Sequence, residues 1–86
     1  MIPKQNIAIT TCTVVATGSN STFTIPNNWK PSECIVLEAR VYVSSRNRYY
    51  TLTNLVWFDG DLTGSGRLQG NTSYEGMTCT IKFLKI

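Results

Sequence analysis

The chain has no histidine among its 86 residues. Catalytic arrangements of the Ser-His-Asp and Cys-His kinds use an imidazole to activate the nucleophile, so both are excluded. The usual zinc sites need histidine or closely spaced cysteine pairs, and the sequence also lacks any CxxC pair. We therefore expect no metal ion and no other cofactor.

Carboxylates are few as well: there are five, and Asp59 and Asp61 flank Gly60. A calcium loop of the EF-hand type needs more oxygen ligands and a closing glutamate. A glycosidase pair needs a substrate groove that so short a chain hardly supplies. The glycine-rich segment 64–70, GSGRLQG, lacks the lysine and the following helix of a phosphate loop. We interpret Asp59 and Asp61 as turn residues and predict that the protein is not an enzyme.

Cysteine is scarce and widely spaced, at positions 12, 34 and 79. One disulfide between strands stays open as an alternative. Because each cysteine has β-type neighbours, we interpret all three as small buried side chains. Such thiols suggest a reducing compartment, or assembly before any exposure to oxidant.

Long apolar runs are also missing. The first ten residues, MIPKQNIAIT, contain no apolar run long enough for a signal peptide or a membrane span, so we expect neither. The net charge of +3 is mild, whereas nucleic-acid-binding domains concentrate many more basic residues on one face. We therefore do not expect nucleic acid to be the main partner.

What the sequence does contain is typical of β-strands: it is rich in threonine, valine, isoleucine and aromatic residues. Its length allows one domain, residues 1–86. Period-two alternation predicts strands at 34–43 and 77–83. On the first strand we expect Glu38 and Arg40 to face outward. The residues expected to face inward on the two strands are Ile35, Leu37, Ala39, Val41, Val43, Met77, Cys79, Ile81 and Phe83.

Further strands are predicted at 6–17, 22–25 and 48–58, and no segment has the period of a helix. Turn residues recur at roughly ten-residue spacing, among them Gly64-Ser65-Gly66. The sequence therefore predicts an all-β fold: a small antiparallel β-sandwich or jelly-roll-like domain of about six to seven strands.

The segment 44–50, SSRNRYY, joins two long predicted strands, so Ser45-Arg46-Asn47 is predicted to be a hairpin connection. Asn47 tolerates the left-handed backbone that such turns need. One interpretation is that the arginines are solvated turn residues that keep the tip soluble. Another follows from the planar polar groups and aromatic ring of Arg46, Asn47, Arg48 and Tyr49, which is the chemistry that binds sugars.

Two other arrangements of these residue types stay open. Tyr49 and the neighbouring arginines would also suit a patch that contacts phosphates and stacks bases. Arg40 and Arg67 would join it only if folding brought them close. Trp29, in a loop between Asn28 and Lys30, is a further candidate for ligand binding.

Several apolar residues predict burial against another copy of the chain, since so small a core leaves a thin stability margin. The second face of segment 48–58 is not cleanly polar, and the chain ends on apolar residues. The alternative is that the sandwich buries these side chains within one chain. The residues predicted at an oligomer interface are Leu55, Trp57, Leu84 and Ile86.

Two segments carry a resemblance to a known family. Residues 23–31, FTIPNNWKP, and residues 77–86, MTCTIKFLKI, resemble the small C-terminal domains of bacteriophage tail-fibre and receptor-binding proteins. In that family a threonine- and serine-rich first strand leads into a segment of the form (F/V)TIPxx(Y/W)xP. A long alternating strand, a turn-rich middle and an apolar final strand follow. The likeness extends over residues 7 to 86, and the family's binding surfaces vary, so it assigns no functional residue.

The resemblance implies a β-sandwich that forms a homotrimer at a fibre tip and contacts a glycan or protein on the host cell surface. It also implies a virion protein made in the host cytoplasm, with other virion proteins as partners. One alternative is a capsid decoration or fibre-capping protein that binds no receptor. A further alternative is a single-stranded nucleic-acid binder.

Overall fold

The structure is a computed structural model that describes residues 7–86, so the first residue of the predicted strand 6–17 lies outside the described part. Seven strands and five short 3-10 turns make up this part, and it contains no α-helix. The strands are β1 (Ile9–Val15), β2 (Ser21–Thr24), β3 (Cys34–Val43), β4 (Arg48–Thr51), β5 (Val56–Phe58), β6 (Ser65–Leu68) and β7 (Thr78–Lys85).

The strands form two antiparallel sheets. One has four strands in the order β1-β7-β3-β4 and the other has three in the order β2-β6-β5. Three phenylalanine rings pack together between the sheets. The centre of the Phe83 ring on β7 lies 5.8 Å from the centre of the Phe23 ring on β2 and 6.3 Å from that of the Phe58 ring on β5. The prediction of a small antiparallel all-β sandwich is confirmed.

One hydrophobic core lies between the sheets, and β7 supplies its centre. Cys79, Ile81 and Phe83 are fully buried, and Met77 packs against them, as their alternation predicts. The intervening threonines and Lys82 are exposed. Burial of a side chain the size of Ile81 or Phe83 stabilises the fold by about 1.5–3 kcal/mol each.

The prediction for strand 34–43 is wrong in its first half. The register of β3 against β7 shifts between Val36 and Glu38, so Leu37 is an extra residue in a β-bulge. Cys34 and Val36 therefore face inward, and Ile35 and Leu37 are exposed. Beyond the bulge the predicted inward residues, from Ala39 to Val43, are buried.

The predicted strand 48–58 is two strands in two sheets. β4 pairs with β3, a 3-10 turn follows at Thr53–Leu55, and β5 pairs with β6. The backbone N–H of Leu52 donates to the carbonyl of Ala39, and that of Leu55 donates to the carbonyl of Leu52. The segment thus crosses from one layer to the other while its buried side keeps contact with the core.

Residues 65 and 66, predicted as turn residues, belong to β6, the middle strand of the three-stranded sheet. A methyl group on Gly66 would lie 2.5 Å from the carbonyl oxygen of Trp57 and 2.6 Å from Cζ of Phe23. Glycine is needed there because the Phe23 ring packs directly on the strand, which is a reason of packing and not of turn formation.

Asp59 and Asp61 lie in the predicted turn, and each has a partner elsewhere. The backbone N–H of Ser32 donates to Oδ1 of Asp61 at 2.8 Å, and Arg67 Nε lies 3.4 Å from Oδ1 of Asp59. Hydrogen bonds from Ser32, through its side chain and its backbone, lower the pKa of Asp61. The hydrogen bond between Ser32 and Asp61 thereby joins the turn that contains Asp59 and Asp61 to the 3-10 turn at Pro31–Glu33.

Candidate functional site

The outer face of the four-stranded sheet carries apolar, charged, hydroxyl and aromatic side chains. The strand registers place its side chains in four cross-strand rows. Ile9, Leu84 and Ile35 form an apolar first row, and Thr11, Lys82 and Glu38 form the second. The third row is Thr13, Thr80, Arg40 and Thr51, and the fourth is Val15, Thr78, Tyr42 and Tyr49.

Arg40 is held between two neighbours on this face. Its Nε lies 3.3 Å from Oε1 of Glu38, and its guanidinium carbon lies 4.4 Å from the centre of the Tyr49 ring. A guanidinium over an aromatic ring is attracted by the negative face of the ring. The carboxylate and the ring together restrict the rotation of a long side chain that would otherwise be free.

A hydrogen bond joins Tyr42 to Asn47, and a ring contact joins it to Tyr49. The Tyr42 hydroxyl donates to Oδ1 of Asn47 at 2.5 Å, and the Tyr42 ring lies 5.0 Å from that of Tyr49. Asn47 closes the β3–β4 hairpin with a left-handed backbone, φ 50° and ψ 48°, and its N–H donates to the carbonyl of Ser44. The predicted hairpin and its left-handed asparagine are confirmed.

These side chains border a shallow depression of about 280 Å³, which we call the β3–β7 groove. Short threonines on β7 form its floor, and the longer side chains of β3 and β4 form one wall. Lys82 stands at the end toward the apolar row, and no ion pair among residues 7–86 involves it. The lining residues are Glu38, Arg40, Tyr42, Tyr49, Thr78, Thr80 and Lys82.

The hairpin residues predicted as one binding tip are divided between the two faces of the sheet. Tyr49 and Asn47 join the groove side. Arg48 is paired in register with buried Val43, so its side chain lies on the opposite face from Tyr49. Arg46 donates from a terminal nitrogen to the Tyr50 hydroxyl at 3.0 Å. The two arginines do not line the groove.

Trp29, predicted as a loop residue for ligand binding, is only 8% exposed and belongs to the core. Lys85 Nζ lies 5.6 Å from the centre of its ring. Trp29 also borders a separate depression of about 160 Å³ beside the 59–64 turn. Its ring is therefore not displayed as a platform for a ligand.

The four residues predicted at an oligomer interface lie in two places. Leu55 packs partly buried against the core, and Trp57, 39% exposed, is paired with Arg67 on the three-stranded sheet. Leu84 lies in the apolar row of the four-stranded sheet, and Ile86 follows it at the exposed end of the chain.

Sequence reasoning missed several groove residues: Tyr42, Thr78, Thr80 and Lys82. All face outward by the same alternation that identified the core, so the period-two pattern contains the signal. These groove residues were missed because side chains far apart in the sequence come together only when β3, β4 and β7 pair. Arg40, which was expected to join Tyr49 only if folding brought them close, does so, whereas Arg67 lies on the other sheet.

The cysteines are free thiols, with Cys34 and Cys79 buried and Cys12 half-buried. Burial, with a smaller effect of Cys79, raises the pKa of Cys12 to about 11. Burial also raises the pKa of Cys34 and of Cys79. Within residues 7–86, no group of three or more His, Cys, Asp or Glu side chains is arranged to hold a metal ion.

Comparisons of the chain with protein-family models, with curated proteins and with solved structures gave no match. Along residues 7–86, no helix is long and apolar enough to cross a membrane.

Proposed function

We propose that the protein is a non-enzymatic, adhesive β-sandwich domain of a phage virion that binds a glycan on the host cell surface through the β3–β7 groove. The observation that carries this proposal is the composition of the groove. Tyr42 and Tyr49, 44% and 63% exposed, stand beside threonine hydroxyls and a fixed guanidinium. A sugar ring has apolar C–H faces and a rim of hydroxyls, which match aromatic and polar groups of this kind.

The setting at a fibre tip rests on the resemblance of residues 23–31 and 77–86 to tail-fibre domains. It would explain how a shallow site serves attachment. A single open groove is expected to hold a sugar weakly, and several copies on one particle multiply the effective affinity without any new contact.

A homotrimer would supply those copies, and the apolar row supports association. Ile9, Leu84 and Ile35 are neighbours across three strands, and Ile9 and Ile35 are exposed. A contiguous exposed apolar group of this kind marks a contact surface more often than scattered apolar residues do. The row is separated from the tyrosines by the second and third rows, so contact between copies there would leave the tyrosines free.

The test is a glycan array probed with the wild-type protein, Tyr49→Ala and Trp57→Ala, each with its mass checked by light scattering. Tyr49→Ala removes the ring that supports Arg40 and should abolish the signal. Trp57→Ala removes an exposed ring on the other sheet and should keep it. Equal signals from the two variants would contradict the groove as the site.

A capsid decoration or fibre-capping role is the structural alternative. It predicts silence on the array together with normal particle assembly. A single-stranded nucleic-acid binder is the other alternative, since a cation, Arg40, lies beside the exposed rings of Tyr42 and Tyr49. It predicts retardation of an oligonucleotide at low salt that disappears steeply as salt is added.

A further inference from the structure

The β3–β7 groove carries an excess of positive charge. Arg40 and Lys82 are two cations, Glu38 is the single carboxylate, and the whole chain has a net charge of +3. Glu38 is already engaged by Nε of Arg40, and Lys82 takes part in none of the ion pairs among residues 7–86. An anionic group entering the groove would therefore meet a net favourable field.

Arg40 is also oriented in advance. The ion pair with Glu38 uses Nε, and the Tyr49 ring covers one face of the guanidinium at 4.4 Å. Within residues 7–86, its two terminal nitrogens make no hydrogen bond. A planar guanidinium offers paired N–H donors that match the two oxygens of a carboxylate. Less rotamer entropy is lost on binding when the side chain is already held.

The Glu38–Arg40 pair does not prevent this role. Both side chains are about two-fifths exposed, 39% and 45%, and exposed pairs of this kind contribute little to stability. A ligand carboxylate can share the guanidinium with Glu38, because it would occupy the terminal nitrogens and not Nε.

We infer that the saccharide recognised by the groove is acidic, and that its carboxylate binds the terminal nitrogens of Arg40 with Lys82 nearby. The apolar face of the sugar would pack on Tyr42 and Tyr49, and its hydroxyls would meet the threonine floor. This inference rests on the proposed function and adds the chemical class of the ligand to it.

A glycan fits these observations better than a nucleic-acid strand. A strand would need a stripe of cations that follows several phosphates. Arg48 lies on the opposite face of the same sheet, and Arg67 is on the other sheet with Asp59. The groove therefore offers one local anion site and not a track.

The experiment is isothermal titration at low salt with two matched pairs of probes. The first pair is trigalacturonate and its methyl ester, and the second is sialyllactose and lactose. In at least one pair the acidic member should bind about tenfold more tightly, as expected for a charged hydrogen bond. Added salt should reduce this difference, because the groove is exposed.

Arg40→Met should remove the preference for the acid, while Arg67→Met should keep it. Arg67 is a matched control, because it also lies on an outer sheet face with its Nε 3.4 Å from a carboxylate. Circular dichroism of both variants would show that the fold is retained. A preference that survives Arg40→Met would overturn the assignment.

The remaining outcomes separate this inference from the proposed function. Equal binding of the acid and neutral members, with loss in Tyr49→Ala, would overturn the acidic ligand and leave glycan binding in place. Absence of binding by all four probes, together with binding of a neutral glycan on the array, would also overturn the assignment of an acidic ligand. Silence in both assays together with tight binding of an oligothymidine would overturn glycan binding itself.

Discussion

Gly66 shows how one missing side chain permits the packing of the three-stranded sheet. It lies in β6 under the Phe23 ring, and an added methyl group would collide with that ring and with the Trp57 carbonyl. Phe23 in turn meets Phe83, which is the largest fully buried side chain. A change at residue 66 would therefore be transmitted to the centre of the core.

Gly66→Ala should lower the free energy of unfolding by about 1–3 kcal/mol, as overpacking does in well-packed cores. Gly18→Ala is the control, since its methyl group would come no closer than 3.4 Å, to Oε1 of Glu75. We expect that change to stay within about 0.5 kcal/mol. Urea denaturation measures both, and equal costs at the two sites would contradict this account.

The thiols give a second prediction at the residue scale. Because the pKa of Cys12 is about 11, its thiolate at pH 8 is a small fraction of the total. The pKa values of Cys34 and Cys79 are raised too. A thiol reagent should react much more slowly with the native protein than with the protein in urea. A rapid native reaction of all three thiols would show that they are accessible.

The same shifts fix the direction of the pH dependence. A thiol whose pKa is higher in the folded state contributes stability that is complete below the unfolded pKa of about 9. That contribution is lost as pH rises from 9 through about 11, the folded value for Cys12. Urea midpoints measured from pH 7 to 11 should therefore fall above pH 9, and Cys12→Ser should reduce the fall.

At the scale of the strands, the inward face of β7 was predictable, whereas that of β3 was predictable only beyond the bulge. On β7 the apolar and polar residues alternate without interruption. On β3 the extra residue, Leu37, is itself apolar and is followed by Ala39 at the same spacing. The alternation in the sequence therefore continues across the bulge and gives no sign of it. The inserted residue becomes evident only from the pairing of β3 with β7.

β6 and the break after β4 escaped prediction for related reasons. The short strand at 65–68 begins with a serine and a glycine, residues typical of a turn, and it exists because both of its neighbours pair with it. The alternation over 48–58 is preserved because both halves of the segment face the same core. The alternation of apolar and polar residues indicates which side chains are buried. It does not show that the segment passes from one sheet to the other.

Two substitutions of similar size test the register of β3. Leu37→Ala should cost less than about 0.5 kcal/mol of stability, because Leu37 is exposed in the bulge. Ile81→Ala should cost about 2–5 kcal/mol, because Ile81 is fully buried on β7. Guanidinium denaturation compares them, and similar large losses would place Leu37 in the core.

At the scale of the whole molecule, the two outer sheet faces differ in chemistry. The four-stranded sheet joins an apolar row at one end to the β3–β7 groove at the other. The sequence predicts ligand binding by the consecutive residues 46 to 49 and by Trp29. In the structure, Asn47 and Tyr49 of that set lie near Arg40 and Lys82, which come from other strands and are brought there only by strand pairing.

The proposed trimer is testable with one substitution in the apolar row. Wild-type protein should show three times the 9.6 kDa mass of one chain in light scattering. Leu84→Glu should give monomers, because a charge would be buried at the contact. Leu62→Glu is the control, since Leu62 is fully exposed and lies in the 59–64 turn. A wild-type monomer at micromolar concentration would count against the trimer.

Amide chemical-shift mapping by nuclear magnetic resonance tests most directly whether the β3–β7 groove binds a saccharide. The glycan selected on the array would be titrated into labelled protein. We expect shifts confined to residues 38–42, 47–49 and 78–82, which surround the groove. Shifts confined to the three-stranded sheet, β2, β5 and β6, would contradict this expectation.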